Sequence, residues 1–510
     1  MSRRFVLSRR SLLGAAASLP LLHRAARAER TPGTLTFGLS SYPPTLQPWA
    51  NAGTAAATIK LLIYRGLLSY DKDGKLRGEL AESWQRDGDN AWVFHLRDAK
   101  FQNGAPVTAD DVKWTIAQVA DAKSTAYLKA EMQSIQEVQT PDLRTVRLVT
   151  KQPTVTLPIW FANFHMPIVA KGSTDNNGTA VGAGPYVLKG QERGVSLDLA
   201  AFDQFYKPGL PKTKNLKVII YADENLRAAA LQAGDVDLIE YVPWQSMQAI
   251  GVDPRLKLDT TDGPFMFVVF NGKAKPFGDP RVRRAVAHAI RREDIVKAAF
   301  FGRGSPLEGL PIPSTSEFYD AAKARGWNYD PDKAKALLKE AGLADGFSCT
   351  MLATAQYSMH KTTAEVCQQH LAEIGIQVQL NLPDWPTRVA LGNKGQYELA
   401  VHGTSGDSND PDALSQFIDG ELATSYARSF AMPTPKLHEL LDAGRAEFDA
   451  AKRHAIYDQV QSVALDDAPM VSLCWRSQGY GIAKDVAGFH NLPGALTFYS
   501  GITLEETSVG

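Results

Sequence analysis

Trp92-Val-Phe-His-Leu-Arg-Asp98 and Phe101-Gln-Asn-Gly-Ala-Pro-Val-Thr-Ala-Asp-Asp-Val112 carry a strand, a turn and the start of a helix in one short stretch. Trp92, Phe94 and Leu96 alternate with Val93, His95 and Arg97, the period-two pattern of a half-buried strand. Thr108-Ala-Asp-Asp111 is a capping-box-like entry to a helix with Val112, Ile116 and Val119 on one face. The same change of period recurs in both directions. Upstream, 34–39 reads as a strand, 41–48 as turn-rich, and 55–68 as a helix with Ile59, Leu62, Ile63 and Leu67 aligned. Downstream, Asp279-Pro280 and Asp330-Pro331 each place a cap residue before a first-turn proline. They predict helices over 281–300 and from 331 to a stop at Gly342. A further helix is expected over 360–374, with strand 377–380 after it. Alternating strands and helices argue an α/β protein of mixed sheets.

A chain of 510 residues is too long for one ordinary core, so two or three domains are expected. The best boundary lies near Asp262-Gly263-Pro264, which leads into Phe265-Met-Phe-Val-Val-Phe270, apolar on both faces like a buried strand. This predicts a first lobe over 29–263 with a subdomain inserted at about 60–180. A second lobe follows over 264–480, and residues 481–510 return to the first.

Arg3, Arg4, Arg9 and Arg10 precede an apolar run from Leu12 to Leu22, and Ala26-Arg27-Ala28 is a small-x-small cleavage pattern. Residues 1–28 are therefore expected to be a signal peptide that directs the chain to the periplasm. Ser8-Arg9-Arg10-Ser11-Leu12-Leu13 resembles the twin-arginine export signal, with Sec export as the alternative. Removing residues 1–28, with six arginines and no acid, leaves 49 basic and 55 acidic residues, a net charge of −6. Such a chain lacks the basic footprint that binds nucleic acid or anionic membrane. Cys349, Cys367 and Cys474 are far apart, odd in number and without zinc spacing, and read as small buried side chains. No cysteine stands after Ala28 to carry a lipid, so a free, unanchored and monomeric protein is expected.

Several blocks together resemble one family, the extracellular solute-binding proteins of peptide-type ABC importers, family 5. They are the two stretches quoted first, Gly78-Glu-Leu-Ala-Glu-Ser-Trp84, Gly182-Ala-Gly-Pro-Tyr186 and Pro276-Phe-Gly-Asp-Pro-Arg-Val-Arg-Arg-Ala285. Tyr329-Asp-Pro-Asp-Lys-Ala-Lys-Ala-Leu-Leu338 and Glu373-Ile-Gly-Ile-Gln-Val378 complete the set, in family order. The resemblance implies a two-lobed periplasmic binding protein fold of three domains, with hinge closure around a ligand in the interlobe cleft. It also implies a small-molecule or peptide ligand handed to ABC permease subunits, without cofactor, metal or catalysis. The alternative roles are a sensor subunit docking a membrane receptor and an exported hydrolase. No G-x-S-x-G, H-E-x-x-H or phosphate-cradling glycine loop supports the hydrolase.

In peptide-binding members a Gly/Asp/Pro segment like His402-Gly-Thr-Ser-Gly-Asp-Ser-Asn-Asp-Pro411 carries an aspartate that grips the ligand's α-amino group. Asp407 matches it; pattern alone would need Asp407 only as a turn residue. Trp385, after Asp384, resembles the family's pocket tryptophan, and a structural tryptophan is the competing reading. Tyr42, Tyr357, Thr404 and Ser405 are further ligand-facing candidates, and His402 reads as a hydrogen-bonded strand-end histidine near the pocket. The chain departs from the family where carboxylate-binding arginines are placed: Thr354, Gly392 and Val401 occupy those positions. The expectation is an amine-bearing ligand, a longer peptide or other solute, with Arg388 the arginine left if a carboxylate must be held.

Overall fold

Residues 32–50, 52–174 and 178–510 are described by the computed structural model; the expected signal peptide lies outside them. The strand Thr34–Leu39 forms as expected, parallel to Asn215–Ile220. The helix expected over 55–68 is shorter, Thr54–Ile63, and Leu68–Tyr70 is already a strand. Its last carbonyls are met by a distant segment: the Ile63 oxygen accepts from Gly184 N–H at 3.1 Å and Gln102 Nε2 at 3.3 Å. That close approach explains two glycines of the 182–186 block. A Cβ at Gly182 would lie 2.1 Å from the Ile63 oxygen, and one at Gly184 2.3 Å from that of Leu62.

The helix expected over 281–300 is also corrected. It splits into Pro280–Ala289 and Arg292–Phe300, with Ile290 and Arg291 extended. Arg292 supplies the reason. Its buried guanidinium donates to the carbonyls of Ala287, Ile290, Leu307, Trp327 and Ser472, two of them freed by the break. The other expected elements form as Ala109–Ala120, Pro331–Glu340, Ser358–Glu373 and Ile376–Asn381. Capping is as read: Asp111 Oδ2 accepts from Thr108 N–H at 2.9 Å, and Asp330 from Lys333 N–H.

One mixed sheet of eleven strands runs through both halves of the molecule, ten of them along one path and Gly304–Pro306 paired off it with Val471–Ala483. From one edge its path is Ile376–Asn381, Phe347–Leu352, Leu399–Thr404, Leu256–Phe270 and Val471–Ala483. It continues through Leu238–Ile239, Thr34–Leu39, Asn215–Ile220, Ser196–Ala201 and Tyr186–Glu192. The two long antiparallel strands, Leu256–Phe270 and Val471–Ala483, join the halves. Phe265–Phe270 pairs with Leu399–Thr404 on one side, whereas Gly481 and Ile482 pair with Leu238–Ile239 on the other. One hydrophobic core is built from residues between Phe265 and Cys474, and the second from residues 35–238 and 480–504. The boundary expected near 263 thus falls inside a continuous strand, at a register shift between Asp262 and Phe265. A four-stranded antiparallel sheet over 81–150 and the helix Ala109–Ala120 pack into the first lobe's core.

Glu79, in one of the family-like blocks, is fully buried beside Glu505 from the returning C-terminal segment. Lys207 Nζ reaches both carboxylates, at 2.7 and 2.6 Å, and Arg65 and Arg77 complete the network. The surrounding cations outweigh burial and hold the Glu79 carboxyl below its usual value. Cys349, Cys367 and Cys474 are buried free thiols. Among the described residues no helix is long and apolar enough to cross a membrane.

Candidate functional site

Strand Leu399–Thr404 delivers the chain to a loop in which three aspartates are treated differently. Asp410 caps the next turn and pairs with Arg453 at 2.7 Å, and Asp412 pairs with Arg445 at 2.7 Å. Asp407 has no cationic partner among the described residues. Its carboxylate accepts from the Tyr127 hydroxyl, and its carbonyl from the Tyr499 hydroxyl at 2.9 Å. Both tyrosines belong to the first lobe, so this half-buried carboxylate stands between the lobes. Burial pushes the Asp407 carboxyl up from its ordinary value despite the Tyr127 bond. Asn409 fixes the loop, accepting from Ala495 N–H at 2.9 Å and donating to the Pro493 carbonyl at 3.2 Å.

Beside this loop lies an aromatic wall. Asp384 caps helix Trp385–Asn393, placing Trp385 and Arg388 three residues apart on one face. The Trp385 ring lies 5.5 Å from Tyr357, 5.9 Å from Tyr426 and 6.2 Å from His402, centroid to centroid. His360 completes the wall at 5.6 Å from Trp385. Arg388 lies under it, 5.4 Å from the Trp385 and Tyr426 rings, and donates to the Val401 carbonyl at 2.8 Å. Arg476, on the crossing strand Val471–Ala483, faces the same two histidines and lies near the Tyr241 hydroxyl. Tyr241 itself holds a left-handed backbone, φ 49°, a strained state for a bulky residue. Burial, then the two guanidiniums, push the His360 ring down to about 3 and His402 well below its ordinary value. Both rings stay neutral at physiological pH.

The structure brings Trp385, Tyr357 and His402 together and sets Asp407 at the lobe junction. His402 is corrected in one respect: its Nδ1 has no hydrogen-bond partner, so it is a strand-end histidine with an unused polar atom. Ser405 is buried and donates to the Ala495 carbonyl at 3.3 Å, while Thr404 makes only a long contact to the Ser405 carbonyl. Tyr42 turns its hydroxyl to Gln191 at 3.1 Å and packs on the first lobe's core. Thr354, where a family arginine was looked for, is buried and donates to the Pro383 carbonyl at 2.7 Å. Gly392 has no room for a side chain, since a Cβ there would lie 2.8 Å from Tyr426 Cβ. Sequence reasoning missed Tyr127, Tyr426, His360 and Arg476. A small cavity of about 30 Å³ borders the same loop, lined by Phe265, Ser408, Asn409, Pro411 and Trp475 among others. Asp410 is among its lining residues, whereas Asp407, Trp385 and Arg388 are not.

Residues 75–425 match the model of the bacterial extracellular solute-binding proteins, family 5 Middle. The glutathione-binding protein GsiB of Escherichia coli K12 is 28% identical over 464 residues, 88% of this chain and 90% of that protein. The periplasmic binding protein AgaA of A. tumefaciens R10, solved with agropinic acid, is 41% identical with a TM-score of 0.87. The match covers 94% of this chain and 99% of AgaA. The DppA protein of Helicobacter pylori, solved with the peptide STSA, shares the fold at 22% identity and a TM-score of 0.82. There the match covers 93% of this chain and 98% of DppA.

Proposed function

The chain belongs to the bacterial extracellular solute-binding proteins of family 5, the substrate-binding components of ABC importers, and from that premise we propose which solute it takes. It captures a small amine-bearing solute in the interlobe cleft and hands it to membrane permease subunits. The observation that carries this is Asp407: a carboxylate without a cation, held between lobes, whose neighbours Asp410 and Asp412 are both paired. A solute ammonium supplies the missing charge through a charge-assisted hydrogen bond. Trp385, Tyr426 and Tyr357 offer flat apolar area to the rest of the solute. Ligands named for relatives, agropinic acid for AgaA and glutathione for GsiB, extend the range beyond plain peptides. Export through the twin-arginine route and a monomeric state in the periplasm belong to the same reading.

Calorimetry tests it with free and N-acetylated forms of one solute, beginning with glutathione and Ser-Thr-Ser-Ala. Asp407→Ala weakens the free form by about 2–5 kcal/mol, the range for truncating one member of a buried charged pair. Equal affinity for free and acetylated forms would reduce Asp407 to a turn residue.

A further inference from the structure

Besides the Asp407 bond, the two halves of the molecule also meet at the inserted four-stranded sheet. Helix Pro435–Ala446 is capped at Glu447 and helix Ala450–Asp467 starts after Asp449, so Phe448 stands at the tip of a tight connection between them. Both helices pack into the core between Phe265 and Cys474. The half-buried Phe448 ring points the other way. It lies 6.1 Å from the Trp92 ring, and the Arg86 guanidinium lies over it, 3.8 Å from its centroid. Arg86 ends strand Ala81–Arg86 and Trp92 stands in Ala91–Leu96, a sheet that packs into the other core. Beside them the Arg445 carbonyl accepts from Val155 N–H at 2.8 Å.

The sheet holds its side of this contact with its own bonds. Arg86 donates to the Gly88 carbonyl at 2.6 Å and to Asp89 at 3.0 Å, which leaves the flat face of the guanidinium for the Phe448 ring. Trp92 Nε1 donates to the Thr154 carbonyl at 3.0 Å, so the segment that carries Val155 also orients the indole. A cation over a ring and a pair of tilted rings both attract, and neither needs a solute.

The connection is tied to the Asp407 loop as well. Arg445, three residues before Phe448, pairs with Asp412 at 2.7 Å, and Arg453, five residues after it, pairs with Asp410 at 2.7 Å. The residues that flank Phe448 therefore fix both paired aspartates of the loop that bears Asp407.

We propose that the inserted four-stranded sheet is a clasp, gripping Phe448 so that the two halves are held together before a solute arrives. The clasp rests on the hinge-closure reading of the two cores, and it gives the inserted sheet a task that the cleft residues do not share. It sets how much of the protein is closed, which scales the affinity of every solute by one factor. Choice among solutes stays with Asp407 and the aromatic wall.

The mature protein, stripped of solute, is the sample for the test. Hydrogen exchange followed by NMR compares the Val155 amide, whose acceptor lies across the junction, with the Thr150 amide, which donates to the Asn90 carbonyl within the sheet. Val155 should be protected in the wild type. Phe448→Ala and Arg86→Ala should each speed its exchange about tenfold, the scale of one lost aromatic or cation contact, with Thr150 unchanged. Arg86 is exposed, so its variant carries the test should Phe448→Ala fail to fold. Spin labels at Glu137→Cys and Lys452→Cys, exposed positions on the two sides, should move apart in the same variants; the native thiols are buried. Val155 exchanging as fast as an unstructured peptide in the wild type, or exchange that neither variant speeds, would overturn the proposal. So would equal acceleration at Thr150, or an unchanged distance between the labels. No solute enters either measurement, so the amine reading of Asp407 stands or falls by its own calorimetry.

Discussion

Removing a single oxygen, in Tyr127→Phe, tests whether the Asp407 bond is part of ligand capture. The hydroxyl packs with the core of residues 35–238 and 480–504 and the carboxylate follows a strand of the other core, so on the proposed hinge-closure reading the bond forms as the lobes close. A hydrogen bond to a charged group contributes about 1.5–3 kcal/mol net. The Tyr127 side chain is largely buried, since its ring packs 4.5 Å from His165, so little of that is returned by water. If closure makes the bond and opening breaks it, its full value appears in ligand affinity. At about 1.4 kcal/mol per decade, Kd should rise about 10- to 150-fold, with the phenyl ring still filling its place. Calorimetry measures the affinity, and small-angle scattering with and without solute reports whether the variant still contracts. A Kd within twofold of wild type would mean that Asp407 and Tyr127 meet without contributing to capture.

Glu505→Gln should destabilise the first lobe by about 3–5 kcal/mol, because Arg65, Arg77 and Lys207 are left with Glu79 as their one buried carboxylate. Chemical denaturation checks it, and a loss below about 1 kcal/mol would contradict it. Burial raises the Asp407 carboxyl, so the folded chain holds that proton more readily than the unfolded one. This group's contribution is therefore most favourable at low pH and declines as pH rises from about 4 through the folded value. Asp407→Asn should raise the melting temperature of the solute-free protein at pH 7 while weakening amine binding; a lower melting temperature would refute the charge argument. Replacing Arg9 and Arg10 together with lysine should leave the precursor in the cytoplasm, as fractionation and blotting would show. Normal periplasmic delivery would point to Sec export.

Where the fold is local, the residues announce it. Thr108 with Asp111, Asp279 with Pro280 and Asp330 with Pro331 mark helix starts within one turn, and helices begin there. The helix break at Ile290 was not legible, because its cause is Arg292 reaching the carbonyls of Leu307, Trp327 and Ser472 far along the chain. The site divides the same way. Asp407 and Trp385 stand in stretches that resemble a family pattern, whereas Tyr127 meets Asp407 across 280 residues and carries no local mark. Arg388, three residues after Trp385, was nameable from the sequence as an arginine for a carboxylate, but its burial under the rings of Trp385 and Tyr426 was not. Arg476 sits in a strand whose neighbours are nearly all buried, so its place beside His402 and the Trp244 ring shows only in the packing.

Native mass spectrometry of the wild-type protein and Asp407→Ala, isolated side by side from the periplasm, tests the central claim most directly. Wild type should carry a small adduct, released on denaturation, that contains a basic amine, and the variant should be empty or nearly so. The same adduct at equal occupancy in both proteins, or a released molecule without an amine, would contradict the account.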